Sequence, residues 1–378
     1  MSMGRRIGKL GDYVLYAGGL KKEEISDEEN AEMPEMPYGT FNFTYGPSAG
    51  GLIESIGFDI LTNGEYIVAV KPRLYKCRKV HVTGLNINDA VFAVQRINAA
   101  FSASHATAFL LASSKEIDYY MKIDLILKME LERIRNNLHV IGRMVDASSQ
   151  GVASNWIFYL RELVNRSIDR AYGHRFFFNS NVNKYDGLGK ELKSINKEFI
   201  KALDGLLGTR IFIDRLEKNG TISSDDLIGP AARAAGYDYD ARNEVDLPYK
   251  DLGFRSKTDL FKAEGRGDAL DRFLIRASEI PTSTELVERA LDLIGKRGFP
   301  NPSVHNDVGI GRVESPSGDL AYYVRINDKK VQEIYLLSPS DRNLAFFARS
   351  MAGNIFTDFQ FNWESFGVWA SELGVSFT

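Results

Sequence analysis

The chain has 378 residues, of which 44% are hydrophobic and 26% are charged, and its 47 basic and 50 acidic residues give a formal net charge of -3. These values are typical of a globular protein of one large or two fused domains, and they do not indicate a nucleic-acid or anionic-lipid partner. The single cysteine, Cys77, excludes a disulfide framework. The N-terminus lacks the apolar segment of a secretory signal, and no run approaches the roughly 18 apolar residues of a membrane span.

The first part of the chain is acidic and then changes to strand patterns. Residues 1–40 contain an acidic stretch from Lys21 to Glu35 with prolines near its end, which predicts an acidic N-terminal arm. Such an arm is either a disordered tail or a segment that becomes ordered on a partner subunit. In residues 41–87, apolar and polar residues alternate on both sides of the Asn63-Gly64 turn, which predicts an N-terminal β-sheet.

Residues 88–218 have the pattern of amphipathic helices. Apolar residues recur at helical spacing over 88–115, 119–147, 156–172 and 188–207. Because the connections between these segments are short, we expect an antiparallel helical bundle.

The C-terminal part returns to loops and strands. Residues 219–300 predict an extended loop and a helix, and residues 301–378 contain strand patterns at 321–326 and 331–337. The predicted fold class is α+β, with a central bundle of long helices flanked by small antiparallel β-sheets. Residues 41–378 would form a single domain.

Several motifs, in order along the chain, resemble those of one known superfamily. Residues 96–105 read R-I-N-A-A-F-S-A-S-H and resemble the R-I-C-G-x-C-S-x-x-H metal motif of nickel-iron hydrogenase large subunits. Residues 130–138, E-L-E-R-I-R-N-N-L, resemble the E-L-E-R-x-x-N-H-L signature of its central bundle. Residues 229–242 resemble the G-P-x-x-R-A-S-G-x-x-x-D-x-R segment of the complex I 49 kDa subunit. The chain is thus identified as a member of the superfamily of hydrogenase large subunits and complex I 49 kDa subunits, which includes energy-converting hydrogenases, and the resemblance implies their fold.

The cysteines that would bind nickel and iron in this superfamily are absent. Asn98 and Phe101 stand at the first two cysteine positions, and a count from Asp358 places Trp369 and Glu372 at the second two. Phenyl and indole rings do not ligate metals, and an amide is a weak donor for a soft nickel site. We therefore expect that this chain binds no metal and no cofactor, and that it does not activate hydrogen.

Three polar residues near these motifs are the candidate site residues. Arg96 and His105 belong to the first motif, and Asp146 lies in a segment that resembles A-x-D-x-G, whose aspartate is tied to quinone reduction in complex I relatives. The resemblance implies that Arg96, His105 and Asp146 serve as hydrogen-bond donor, proton donor and charge partner in an acceptor cavity. Alternatively, His105 is a hydrogen-bonded core histidine, and Asp146 is a helix-end carboxylate bound to backbone or to an arginine.

The chain also differs from the family motifs at two predicted loops, and a third loop has two possible interpretations. Complex I relatives carry histidines near quinone in a G-P-x-H-P-x-x-H-G segment, where this chain has Ser48 and Gly50. Ser317 stands where family members keep an arginine, and a serine does not replace a bidentate guanidinium. Arg233 and Asp240 are either ligand groups or a salt bridge that braces an extended loop.

Two functions are consistent with the resemblance. In the first, the chain is the peripheral large subunit of a membrane-bound, complex-I-like or hydrogenase-related oxidoreductase, and it helps to form a quinone-like acceptor cavity next to an iron-sulfur small subunit. In the second, it is an inert scaffold that couples the peripheral arm to an ion-pumping membrane arm, with Phe101, Trp363 and Trp369 filling the cavity.

Both functions imply the same surroundings. The chain would lie peripherally at the cytoplasmic side of the cell membrane, with other peripheral and membrane subunits as neighbours, an iron-sulfur cluster in a partner subunit, and no nucleic acid. An open cavity would favour the first function, and a filled one would favour the second.

Overall fold

The computed structural model describes most of the chain. The described residues are 5–17, 19–22, 33–36, 38–48, 55–74, 78–180, 183–255, 261, 263–295, 298–300 and 302–378. Cys77, Gly50 and residues 23–32 of the acidic stretch lie outside them.

Helices make up the centre of the molecule. Within the described residues they are α1 (Ile87–Val94), α2 (Ser102–Ser113), α3 (Tyr119–Ala147), α4 (Gly151–Tyr172), α5 (Leu188–Leu207), α6 (Arg210–Leu216), α7 (Gly229–Ala234), α8 (Ala269–Ile294), α9 (Pro339–Ser350) and α10 (Phe359–Phe366). None of these described helices combines the length and apolar character needed to cross a bilayer.

The strands form small sheets around the helices. Within the same residues they are β1 (Arg6–Leu10), β2 (Tyr13–Tyr16), β3 (Gly19–Lys22), β4 (Phe41–Tyr45), β5 (Ile56–Asn63), β6 (Tyr66–Leu74), β7 (Arg78–Val80), β8 (Ser114–Glu116), β9 (Ser303–Val304), β10 (Val308–Ser315), β11 (Gly318–Asn327), β12 (Lys330–Leu337) and β13 (Val375–Phe377). Three antiparallel sheets have the orders β1-β2-β3, β4-β5-β6 and β10-β11-β12. The predicted α+β class, with long helices flanked by small antiparallel sheets, is confirmed.

The central helix is α3, which packs against α4, α8 and α10. It begins where the Asp118 carboxylate accepts hydrogen bonds from the backbone N–H groups of Tyr120 and Met121. The ring of Phe158 on α4 lies over Gly142, where a side chain on α3 would meet it. The two helices therefore approach closely beside the C-terminal half of α3.

The helical pattern predicted over residues 88–115 is interrupted. α1 ends at Val94, and α2 starts only at Ser102. Between them Asn98 has extended backbone angles, and its side chain accepts a hydrogen bond from Ala100 N–H, which begins a short turn of 3-10 helix. Because asparagine favours such caps over helix interiors, it separates the two helices.

Residues 6–22 form a sheet, although the sequence predicted an arm over residues 1–40. Ile7, Leu10 and Leu15 are buried against Tyr323 of β11 and Leu337 of β12. Burial of these apolar side chains stabilises the short strands on the larger sheet. The sequence analysis did not predict these strands, and the division into an N-terminal arm and one domain stays a prediction.

A second hydrophobic cluster fixes the C-terminal end of the chain. The rings of Phe58, Phe347, Phe359 and Trp363 pack edge to face, with centroids 5.1–5.7 Å apart. These rings pack β5 against α9 and α10. This packing holds the C-terminal end of α10 in place, and residues 367–372 follow directly after it.

Candidate functional site

The four predicted former ligand positions lie together. Asn98 Nδ2 donates a hydrogen bond of 3.0 Å to Glu372 Oε1. The rings of Phe101 and Trp369 meet edge to face with centroids 6.0 Å apart. The segment at residues 98–101 and the segment at residues 369–372 are thus in contact through one hydrogen-bonded pair and one aromatic pair. The correspondence of these positions to metal ligands stays a prediction from the resemblance.

Glu372 is the centre of the polar half of this cluster. Besides Asn98, its carboxylate accepts hydrogen bonds from His105 Nε2 (3.2 Å), Ser338 Oγ (2.9 Å) and Ser340 Oγ (2.6 Å). Burial opposes ionisation of Glu372, but the hydrogen bond and charge of His105 and the hydrogen bonds of Ser340 and Asn98 outweigh it and lower the pKa. Glu372 is therefore a buried carboxylate whose oxygens accept hydrogen bonds from two distant parts of the chain.

His105 connects Glu372 to the sheet. His105 Nδ1 lies 2.7 Å from the hydroxyl of Tyr322 on β11, and both side chains are buried. Burial, followed by the charge of Glu372, raises the pKa of Tyr322 well above its ordinary value, so the phenol keeps its proton. Tyr322, His105 and Glu372 form a continuous hydrogen-bond chain that can hold a proton.

The aromatic half of the cluster contains a neutral histidine. Trp369 stacks on His139 of α3 with ring centroids 5.4 Å apart, and Arg161 Nη1 lies 2.9 Å from His139 Nδ1, to which it donates. Burial and the charges of Arg161, Arg143 and Arg135 lower the pKa of His139 to about 3. His139 therefore carries no charge near neutral pH.

Almost no space remains beside these rings. A crevice bordered by His139, Trp363, Glu364, Gly367 and Trp369 has a volume of about 10 Å³. That volume holds about one water molecule, whereas a small-molecule site usually needs about 300 Å³ or more. The described side chains around this crevice therefore leave no room for a small-molecule ligand there.

The side chains at the four positions do not fit a nickel-iron centre. They supply one amide, one carboxylate and two carbon-rich rings, whereas that centre needs soft thiolate ligands. The Glu372 carboxylate is also already bound by hydrogen-bond donors from Asn98, His105, Ser338 and Ser340. Across the part of the chain that the structure describes, no group of three or more histidine, cysteine, aspartate or glutamate side chains could share a metal ion.

The three candidate site residues have different surroundings in the structure, and their role in an acceptor cavity stays a prediction. The Arg96 guanidinium stacks on the ring of Phe92, 3.4 Å from its centroid, and donates to Phe92 O at 2.6 Å. Asp146 lies in the last turn of α3, with 47% of its side chain exposed and Arg143 Nη1 at 3.4 Å. Arg96 also lies over the ring of Phe178, 4.5 Å from its centroid. Of the three candidate residues, His105 is the one that contacts Glu372.

Asp146 is nevertheless connected to the edge of the crevice. Arg143 contacts both Asp146 and Glu364 of α10, the latter at 3.1 Å. Glu364 borders the crevice beside His139 and Trp369. These charged groups form the outer, partly exposed rim of the filled site.

Arg233 and Asp240 have the contacts of a brace. Arg233 forms ion pairs with Asp240 (3.1 Å), Glu279 of α8 (2.5 Å) and Glu314 of β10 (3.0 Å). Arg242 also contacts Asp240, at 2.7 Å. All five side chains are buried. These ion pairs connect the loop after α7 to α8 and to the β10-β11-β12 sheet.

A buried arginine from another element lies beside Ser317. Arg276 of α8 donates to Pro316 O and Ser365 O, both at 3.1 Å. Ser317 Oγ donates to Gly367 O at 2.8 Å. Gly367 has φ +63°, and a Cβ there would lie 2.5 Å from an Arg276 nitrogen, so a side chain at this position would collide with the guanidinium.

The sequence analysis missed several members of the cluster, namely His139, Arg161, Tyr322, Ser338 and Ser340. Ser338 and Ser340 flank a proline at the start of α9. This pattern predicts the start of a helix but does not predict a functional site. Their contacts with Glu372 arise from packing between distant parts of the chain, which residue spacing does not encode.

The chain is similar in sequence to several known proteins. Residues 151–305 match the family described as the respiratory-chain NADH dehydrogenase 49 kDa subunit. The chain is 27% identical over 356 residues to the membrane-bound hydrogenase subunit alpha of Pyrococcus furiosus, covering 83% of this chain and 82% of that protein. It is 27% identical over 321 residues to an NADH-quinone oxidoreductase subunit of Chlorobium phaeovibrioides, covering 76% of this chain and 79% of that protein.

The fold has a counterpart among solved structures. A chain of the membrane-bound sulfane sulfur reductase, an archaeal respiratory membrane complex, superposes with a TM-score of 0.78 at 18% identity. The superposition covers 89% of this chain and 98% of that one. The chain is thus similar in sequence to complex I 49 kDa subunits and to a membrane-bound hydrogenase subunit, and similar in fold to a subunit of this respiratory membrane complex.

Proposed function

We propose that the chain is the large subunit of a membrane-bound respiratory complex related to complex I and membrane-bound hydrogenases, and that it carries no redox centre of its own. The names of its relatives support membership of such a complex, because the similarity spans most of both chains. The observation that carries the second part is the contact of Asn98 with Glu372 and of Phe101 with Trp369. Side chains that fill a former metal site leave the chain a structural role between its neighbours.

This function requires partner subunits. Electrons would pass through an iron-sulfur cluster in a small subunit, since the four former ligand positions supply no thiolate. Membrane subunits would hold the assembly at the cytoplasmic side of the cell membrane. The buried network around Arg233 supports a scaffold role, because it joins α8, β10 and the loop after α7 into one rigid unit.

A second candidate function is supported by the rim of the filled site. Arg143 joins the half-exposed Asp146 to Glu364, next to the crevice at Trp369. A partner protein that packs over this rim would complete a cavity for a quinone-like acceptor outside the chain rather than inside it. Asp146 would then be a charge partner for the acceptor.

Acceptor-reduction assays on the complex purified from the membrane through a tag on this chain distinguish the two functions. The variants are Asp146→Asn and Arg96→Ala, with Asp292→Asn on the exposed face of α8 as the matched control. The scaffold function predicts unchanged turnover in all three variants, with the same subunits present. The acceptor function predicts a loss of about tenfold or more in Asp146→Asn alone, equivalent to about 1.4 kcal/mol of transition-state stabilisation. Recovery of the tagged chain without membrane or iron-sulfur subunits would contradict both.

A further inference from the structure

A cavity of about 530 Å³ lies between β1, the end of β12 and α9, apart from the filled site. Its volume is within the range of small-molecule sites, which is about 300–1,000 Å³. Ser338, which donates to Glu372, also lines this cavity.

Basic side chains predominate in the lining of this cavity. Four basic residues face two acidic ones, although the whole chain has a net charge of -3. Lys9, Arg342 and Arg349 have no carboxylate within 4.0 Å among the residues that the structure describes. The cavity is therefore a local positive site on a negatively charged protein.

Arg342 is the best-fixed of these cations. Its guanidinium donates to the backbone carbonyls of Ile7 and Asp226, which hold it in place without neutralising it. Burial lowers the pKa of Arg342, and the more distant charges of Asp319 and Asp226 offset this only in part. A half-buried guanidinium held only by neutral carbonyls is a preorganised donor for an anion.

Apolar side chains complete the lining. Ile7 of β1, Leu337 of β12 and Phe346 of α9 are buried and border the same space. Arg349 lies 5.3 Å from the Phe346 ring centroid, so a cation and an apolar surface are adjacent. This combination suits a ligand with charged groups on a carbon skeleton, and not a bare inorganic ion alone.

We propose that this cavity binds a small organic anion that carries at least two phosphate or carboxylate groups. Lys9, Arg342 and Arg349 would bind the charged groups, and the apolar residues would contact the skeleton. The proposal does not rest on the proposed electron-transfer or scaffold function: the cavity shares Ser338 with the cluster around Glu372 and no residue with the rim at Asp146.

Titration calorimetry of the full-length chain at low ionic strength tests this inference, with citrate and inorganic pyrophosphate as probes and acetate as the monoanion control. We expect saturable binding of at least one probe, weaker binding of acetate, and a loss of affinity as salt is added. Lys9→Ala and Arg349→Ala should each weaken binding about tenfold, the effect of one charge-assisted hydrogen bond. Both residues are exposed, so the variants should fold.

Lys115→Ala is the matched control, because Lys115 is an exposed lysine on β8, outside the cavity. It should bind the probes as the wild-type chain does. Absence of saturable binding of both probes, or equal affinity in the wild type and in the Lys9→Ala, Arg349→Ala double variant, would overturn the proposal.

Discussion

Glu372 joins parts of the chain that are far apart in sequence. Its carboxylate holds Asn98 and His105 from the N-terminal motif and two serines at the start of α9. The resemblance predicts that Glu372 stands at a former ligand position. In this structure its carboxylate instead accepts hydrogen bonds from these two segments.

Replacement of Glu372 by alanine should destabilise the fold strongly. The change leaves buried donors on Asn98, His105, Ser338 and Ser340 without their acceptor, and we expect a loss of about 3–5 kcal/mol in the free energy of unfolding. Glu285→Ala is the control, because the Glu285 side chain is 65% exposed and pairs with Arg289 on the surface. It should cost less than about 1 kcal/mol. Urea denaturation of both variants measures the difference, and equal costs would show that Glu372 does not hold the cluster together.

Glu132 makes the stability depend on pH. Its carboxyl accepts hydrogen bonds from Ala103 and Ser104 at the start of α2. Burial raises its pKa from the ordinary 4.5 to about 7, against the lowering effects of the Arg135 charge and these hydrogen bonds. A pKa raised in the folded state contributes stability below the unfolded pKa, and that contribution is lost as pH rises through the folded pKa.

The free energy of unfolding should therefore fall between about pH 4.5 and about pH 7, with a slope from this group of at most about 1.4 kcal/mol per pH unit. The Glu132→Gln variant lacks this titrating group. The difference in free energy of unfolding between variant and wild type should therefore change between about pH 4.5 and about pH 7. Glu116→Gln, at an exposed position on β8, is the control and should follow the wild-type curve. Parallel curves for wild type and Glu132→Gln would contradict the assignment.

At the scale of elements, close contact between α3 and α4 supports the filled site. A Cβ on Gly142 would lie 2.6 Å from the Phe158 ring, and that ring lies 6.1 Å from the His139 ring. The absence of a side chain at Gly142 thus sets the position of the aromatic groups around Trp369.

Gly142→Ala should lower the free energy of unfolding by about 1–3 kcal/mol, because the added methyl group displaces the Phe158 ring. Gly205→Ala on α5 is the matched control, since a Cβ at this position would have no neighbouring atom within 4 Å. There alanine should stabilise the helix by about 0.5–1 kcal/mol. Thermal or urea unfolding compares the two variants, and a rise in stability for both would refute the packing argument.

The elements that the sequence predicted best are those with long repeats of apolar residues. The bounds predicted for the helices at 119–147 and 188–207 match α3 and α5. The sheet at residues 6–22 was missed because its strands have four or five residues and gain their burial from β11 and β12, at the other end of the chain. Periodicity reports local pattern and cannot report such distant packing.

The candidate site was predictable only in part, and for a similar reason. The motif resemblance pairs Asn98 and Phe101 with Trp369 and Glu372, and the structure places them in contact. The same resemblance predicts that Arg96 and Asp146 line the cavity, and that role stays a prediction; in the structure Arg96 contacts Phe92 and Phe178, and Asp146 contacts Arg143. A motif transfers the course of the backbone better than the direction of a long side chain.

At the scale of the whole molecule, long helices, small sheets and the buried ion network around Arg233 surround the cluster of Asn98, Phe101, Trp369 and Glu372. Under the proposed function, this cluster stands where the resemblance predicts former metal ligands. Such a chain can keep its contacts with neighbouring subunits without redox chemistry of its own. The partner subunits would then carry the electron transfer.

The metal content of the complex tests this central claim most directly. The complex is purified from the membrane through a tag on this chain, and nickel and iron are quantified per copy of the chain. We expect iron from the clusters of partner subunits and far less than one nickel per copy, in agreement with a carboxylate, an amide and two aromatic rings at the former ligand positions. One nickel per copy that stays bound through purification and is lost in Glu372→Ala would contradict the account.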